Sequence, residues 1–153
     1  MNQGMQIIRE VSATAETDAF YGKAEQFGRH AAHVLRGSRS QLTGLENIAE
    51  STLKTTDILD YIKKQTARYQ SWQRGFPQAT NPNMGFGEGL KQYFEKDLRA
   101  TRDAMCNGRL KIGDKTDKDK LLRRRVYLLL MRQFIRQMVI EYEYSVSQAR
   151  GSR

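Results

Sequence analysis

One cysteine, two histidines and two prolines leave this sequence short of the residues that several chemistries require. Cys106 has no internal partner for a disulfide, as expected of a protein in a reducing cytoplasm. His30 and His33 stand at i and i+3, close enough to share a metal. No carboxylate or further cysteine is obviously placed to complete such a site, so no metal is expected. Nucleophilic catalysis has few candidates, and neither an enzyme nor a cofactor is expected. Long apolar runs are also missing. The longest, Val126 to Met131, falls far short of the roughly 20 residues of a membrane span. The N-terminus lacks the basic start and apolar core of a secretion signal. These absences favour a soluble cytoplasmic protein with no membrane partner.

What the sequence does have is positive charge, unevenly placed. The 153 residues carry 26 lysines and arginines against 17 acidic residues, a net charge of +9. Residues 1–53 hold 5 basic and 6 acidic side chains, and residues 54–153 hold 21 and 11. Such an excess suits a polyanionic partner, and a binding site would draw mostly on the second part.

Helix signals dominate the chain, whose length suits a single domain over 1–153. Phe20, Ala24, Phe27, Ala31 and Val34 recur at helical spacing between Thr17 and Leu35. Gly37 and Ser38 break that helix, and Ser40 can cap the next, which runs to about Leu53 with Leu42, Leu45, Ile48 and Ala49 inward. Thr55 and Thr56 are capping candidates for a third helix. Both prolines, Pro77 and Pro82, fall in one long loop, Arg74 to Gly87. A fourth helix follows from about Gly87 to Met105, with Leu90, Phe94, Leu98 and Met105 on one stripe. After a polar connector, Asp117 can cap a last helix over about Asp119 to Ser147. The start, "MQIIREV", reads as a short strand or an arm within 1–16. The fold expected is an all-α, compact bundle of about five helices, with a long and largely buried C-terminal helix.

Two basic features stand out. On "KTTDILDYIKKQTARYQSW", Lys54 to Trp72, steps of 100° put Ile58, Ile62, Gln65 and Tyr69 on one side. Lys64 and Arg68 share a flank beside Tyr61 and Trp72, and Lys63 lies on the other. Cations bordered by aromatics suit single-stranded nucleic acid, through phosphate contact and base stacking. The alternative is that both rings belong to the core and the cations are solvated. On the last helix, Arg125, Arg132, Arg136 and Glu143 form one narrow polar stripe. It either opens on a groove or forms internal salt bridges. "LLRRR" adds Arg123 and Arg124 at the start of that helix. Arg36 and Arg39 bracket Gly37-Ser38 at a helix junction, where a phosphate would meet two guanidinium groups and a positive helix end. Lys54 and Arg74, at the two ends of the third helix, complete the candidate nucleic-acid-binding set. "GFGEG", Gly85 to Gly89, shares only its glycines with a phosphate-binding loop and reads as a flexible helix start.

The stretches "RSQLTGLENIAEST", "TTDILDYIKKQTAR" and "LLLMRQFIRQMVIEYEY" give the chain a resemblance to the small helical subunit of type III CRISPR–Cas effector complexes, particularly the Csm type. The likeness covers roughly residues 30–72 and 120–147. It implies a subunit that does not cut RNA and stacks in several copies beside the duplex of guide RNA and target RNA. It further implies basic surface offered to the two backbones and a bridge between neighbouring subunits in antiviral defence. Two other classes stay open: a helical DNA-binding regulator, for which "RGSRSQLTGLENIAE" would have to form a helix-turn-helix, and an assembly scaffold without nucleic-acid contact.

Overall fold

The structure is a computed structural model that describes residues 2–151, and all of its regular secondary structure is helical. The first helix, α1 (Gln3–Ala15), replaces the strand or arm expected at the N-terminus. Asn2 starts it by accepting the Met5 backbone N–H at 2.8 Å, and Ile7 and Val11, one turn apart, are buried. Helix α2 (Asp18–Val34) is capped by Thr17, whose hydroxyl accepts the Phe20 N–H at 3.3 Å. Helix α3 (Arg39–Ser51) begins one residue before the expected cap: Ser38 holds the N-cap position without a side-chain hydrogen bond, and Ser40 lies inside the first turn.

Helix α4 (Thr55–Arg68) is not capped by Thr55 or Thr56. Thr52 ties down its start instead, accepting the Lys54 N–H at 3.0 Å and donating to the Asp57 carboxylate at 2.6 Å. At Tyr69 the backbone leaves the helical region, and a 3₁₀ turn (Gln70–Gln73) carries Trp72 into the interior. After the long loop, α5 (Phe86–Gln92), a π-helical segment (Tyr93–Leu98) and α6 (Arg99–Asn107) run on as one rod. Helix α7 (Asp117–Gly151) closes the chain. Its first turn is held by the Thr116 hydroxyl, which accepts the Asp119 N–H at 3.1 Å, so the cap is Thr116 and not Asp117. Among the described residues there are therefore six helical rods where about five were expected, and α1 is the additional one.

Helix α7, about 52 Å long at 1.5 Å per residue, is the axis of the bundle. It packs most extensively against α2, then α3 and α1. The α2 crossing is close because Gly28 has no side chain: a Cβ there would lie 2.6 Å from the Met138 carbonyl oxygen. Around α7 the core is continuous, and Phe134 sits within it among rings from two other elements. Phe20 and Phe27 reach it from α2, and Tyr93 and Phe94 reach it from the π segment.

The long loop is anchored at its two ends. The His30 ring is buried, and its Nε2 lies 2.9 Å from the Arg74 carbonyl. A carbonyl only accepts, so Nε2 carries the hydrogen. Burial lowers the His30 pKa, which favours this neutral ring, although the bond to Arg74 works the other way. The ring also stacks on Phe76. At the far end, "GFGEG" is a helix start fitted closely to its neighbour: a Cβ on Gly85 would stand 2.6 Å from the Gln73 carbonyl oxygen.

Candidate nucleic-acid interface

The opening helix of the cationic argument, α4, keeps its cations but loses its aromatic border. Ile58, Ile62 and Gln65 are buried as expected, and Lys64 and Arg68 are exposed one turn apart. Neither makes an ion pair among the described residues. Tyr61 donates its hydroxyl to the Gln41 backbone carbonyl at 2.6 Å, and Trp72 is fully buried with Nε1 donating to the Gln41 side chain at 2.6 Å. Tyr61 thus clamps α3 to α4, and Trp72 clamps α3 to the 3₁₀ turn. Of the aromatics between Lys54 and Trp72, Tyr69, expected inside, is the exposed one. Lys64 shares a shallow depression with Asp57 and Asp60, which offsets part of its charge. On the other flank, Lys63 lies near enough to Glu95 to help lower that carboxyl's pKa, after the dominant hydrogen bond from Lys91.

The arginine stripe on α7 resolves into internal contacts. Arg132 donates from Nε to the Ala49 carbonyl at 2.6 Å and from a terminal nitrogen to the Thr52 carbonyl at 2.7 Å. Those two oxygens belong to the last turn and end of α3, where helical carbonyls lack partners of their own. Arg136 grips Glu50 with two hydrogen bonds of 2.7 and 2.9 Å. That grip holds the Glu50 carboxyl below its ordinary range, so the clasp is intact at neutral pH and released only as pH falls through the carboxylate range. Glu143, the acidic member of the stripe, pairs with Arg39. Only Arg125 is left exposed with no carboxylate partner among the described residues.

Arg123 is equally structural. It donates to the carbonyls of Gly113 and Ile112 and to the Asn107 side chain, each at 2.7 Å, and pairs with Asp103 at 3.3 Å. It therefore fastens the connector to α7. Arg124 beside it is exposed and makes no ion pair among the described residues, and with Arg102, Arg123 and Lys120 it lines a depression that also contains Asp103 and Asp114. Arg102 and Lys120 were not among the expected residues. Arg102 lies over the Tyr127 ring at 5.2 Å, a contact between residues 25 positions apart that spacing along one helix does not reveal.

Of the remaining cations, Arg36 is exposed in the α2–α3 turn and Arg74 at the exit of the 3₁₀ turn, neither with an ion pair among the described residues. Arg39 and Lys54 make exposed pairs, with Glu143 and with Asp57 at 3.9 Å. Such pairs contribute little to stability. The eleven expected residues thus divide by partner. Arg36, Lys64, Arg68, Arg74, Arg124 and Arg125 present uncommitted charge. Arg123, Arg132 and Arg136 hold the fold, and Arg39 and Lys54 share their charge with a surface carboxylate. Lys64 and Arg68 are neighbours on α4, whereas Arg36 and Arg74 stand on separate connections. No group of three or more histidine, cysteine, aspartate or glutamate side chains among the described residues is placed to hold a metal ion.

Arg132 supplies a direct test of this division. Replacing it with methionine keeps the aliphatic stem and strips two buried-end carbonyls of a charged donor. The loss should be about 1.5–3 kcal/mol, read as a lower urea midpoint with an unchanged slope. A cost below about 0.5 kcal/mol would mean that water replaces the guanidinium there.

Fold and surface together define a basic, all-helical bundle in which the uncommitted charge of the expected residues lies on turns and helix faces. No protein-family model, no curated protein and no solved structure matches the chain. Among the described residues, no helix is long and apolar enough to cross a membrane.

Proposed function

We propose that this chain is a non-catalytic RNA-binding structural subunit of a type III CRISPR–Cas effector complex of the Csm type. In this role it lies in the cytoplasm, binds the backbones of guide and target RNA through basic surface, and bridges neighbouring subunits and further copies of itself. The observation that carries the RNA-binding part is that six of the eleven expected residues, Arg36, Lys64, Arg68, Arg74, Arg124 and Arg125, are exposed and make no ion pair among the described residues. Unpaired cations separated along a surface suit phosphates, which repeat regularly and carry no sequence. The resemblance of residues 30–72 and 120–147 supplies the identity of the complex.

The test is RNA affinity as a function of salt, with scrambled sequences compared at each step. Each phosphate contact to a single strand contributes a slope of about −0.7 in log K against log salt. If all six cations engage, affinity should fall about 10²–10³-fold between 50 and 200 mM salt, with little difference among sequences. A persistent sequence preference at moderate salt would sink the backbone-binding reading.

A scaffold without nucleic-acid contact is the second reading, and one observation favours it. Ile140 and Tyr144, one turn apart on α7, are 58% and 59% exposed, which suits burial against another protein. Such a scaffold would bind RNA neither tightly nor in a salt-dependent way. The DNA-binding regulator has less support, because the outward positions of α3 include Glu50, committed to Arg136, and Glu46 nearby, charges that repel phosphate.

A further inference from the structure

A cleft of about 250 Å³ opens between α2, the long loop and the junction of α5 with the π segment. Phe27 and Tyr93 form its aromatic wall, their centroids 5.8 Å apart, and Met84 lies beside them. The wall is kept open at Gly89. A Cβ there would make only ordinary contacts, 3.5 Å to Phe27 and 3.6 Å to Met84, and a longer side chain would have to enter the cleft or displace them.

Polar groups ring this wall, and several are unspent. The Tyr93 hydroxyl and the Asn81 amide have no hydrogen-bond partner among the described residues. Among the described residues no buried side-chain oxygen or nitrogen lacks a partner, so the half-buried Tyr93 must present its hydroxyl to solvent. The cleft it lines is the place where it can do so. Burial, with Asp97 second, pushes that phenol up to about 12, so it stays a neutral donor. The Gln92 amide donates to Glu88 and keeps its own oxygen available. Lys23, Lys96 and Asp97 give the rim a net positive charge.

The volume is below the roughly 300–1,000 Å³ of clefts for drug-sized ligands, which suits a single ring system. An aromatic wall with unspent donors and acceptors in reach suits a flat nitrogen heterocycle, and two lysines at the rim suit an attached phosphate. We propose that this cleft takes one unstacked nucleobase, with its phosphate turned toward Lys23 and Lys96. A π-helical segment at the wall fits this assignment, since such segments are frequent at functional sites. The proposal concerns a surface that none of the six uncommitted cations lines, so it goes beyond phosphate binding and adds a contact to the base itself.

The probe is 2-aminopurine, first as the free riboside monophosphate and then within a single-stranded RNA. Stacking against the aromatic wall should quench its fluorescence, with inorganic phosphate as a control that has no ring. Gly89→Leu, which plugs the cleft, should weaken the quenching interaction about five- to a hundredfold. Asn81→Ala and Lys96→Ala, both at exposed positions, should weaken it less. Emission of the buried Trp72 reports whether each variant is folded. Quenching of the free monophosphate alone would identify a free nucleotide as the occupant, and quenching in RNA as well would identify a base of a strand. No quenching of either form by the unaltered protein would overturn the proposal. So would undiminished quenching by both a folded Gly89→Leu protein and the Asn81→Ala variant. Salt-dependent RNA binding that persists with the cleft plugged leaves the phosphate-binding reading intact, so the two ideas fail separately.

Discussion

Phe134→Ala should be the most destabilising single truncation in the core, costing about 3–5 kcal/mol. The ring is fully buried and sits where α2, the π segment and α7 meet. It packs edge-on to Phe20 at 5.5 Å and Phe94 at 5.4 Å, and stacks on Tyr93 at 4.7 Å. Truncation therefore removes the transfer energy of one large side chain and also several aromatic contacts, each worth roughly 0.5–1.5 kcal/mol beyond its area. Collapse of the site is resisted because the neighbouring rings are anchored on separate elements. For a chain of this size each kcal/mol lowers the melting temperature by about 2–4 °C, so a fall of roughly 6–20 °C is expected. Hydrogen exchange should accelerate in α2 and α7 together, since both lose the same packing partner. A cost below about 1.5 kcal/mol would show that Phe134 is not the centre of the core.

The reason this ring matters was partly legible in the sequence. The apolar stripe of α2 and the many-sided apolar character of α7 both follow from helical spacing, and the all-α fold follows from them. The N-terminal helix was hidden because "MQIIREV" combines β-branched residues with an exposed Met5 and Ile8. Only the pair Ile7 and Val11 carries the buried face, too short a pattern to separate from a strand without the Asn2 cap. In α3 and α7 the serine and acidic cap candidates lie one or two residues after the true caps, Ser38 and Thr116, and Thr116 falls in the polar connector.

The site was less legible, for two physical reasons. Helical angles on α4 do not extend to Trp72, because the helix ends at Arg68 and the extended Tyr69 redirects everything after it. Past that point 100° steps have no meaning, and the ring expected on the cationic flank is in the core. The α7 stripe shows the second reason. Its direction was correct, but its partners are backbone carbonyls and a carboxylate 80 or more positions away in the sequence. A guanidinium that caps a distant helix end and one that awaits a phosphate look the same in one dimension. What separates them is the partner, and only the packed chain supplies it.

For α4 itself the separation gives a large and specific expected effect. Lys64→Glu with Arg68→Glu replaces two unpaired cations by two anions on one exposed flank, a change of four charge units. Losing two phosphate contacts should flatten the salt slope by about 1.4, and affinity for single-stranded RNA should drop at least about tenfold at 50 mM salt. The difference should shrink as salt rises, because the screening length falls to about 3 Å at 1 M. Thermal unfolding should change little, since neither cation makes an ion pair among the described residues. Ile62→Asp, on the buried face of the same helix, should do the reverse. Ile62 is fully buried, and an aspartate there has no cation to meet, so the protein should unfold before its binding can be compared. If the double glutamate protein binds RNA as tightly as the unaltered one at low salt, the α4 flank is a solvated face and the phosphate contacts come from other exposed cations, Arg36, Arg74, Arg124 and Arg125 among them. If it melts several degrees lower instead, the two side chains support the fold through contacts other than ion pairs, and their charge is not free for a partner.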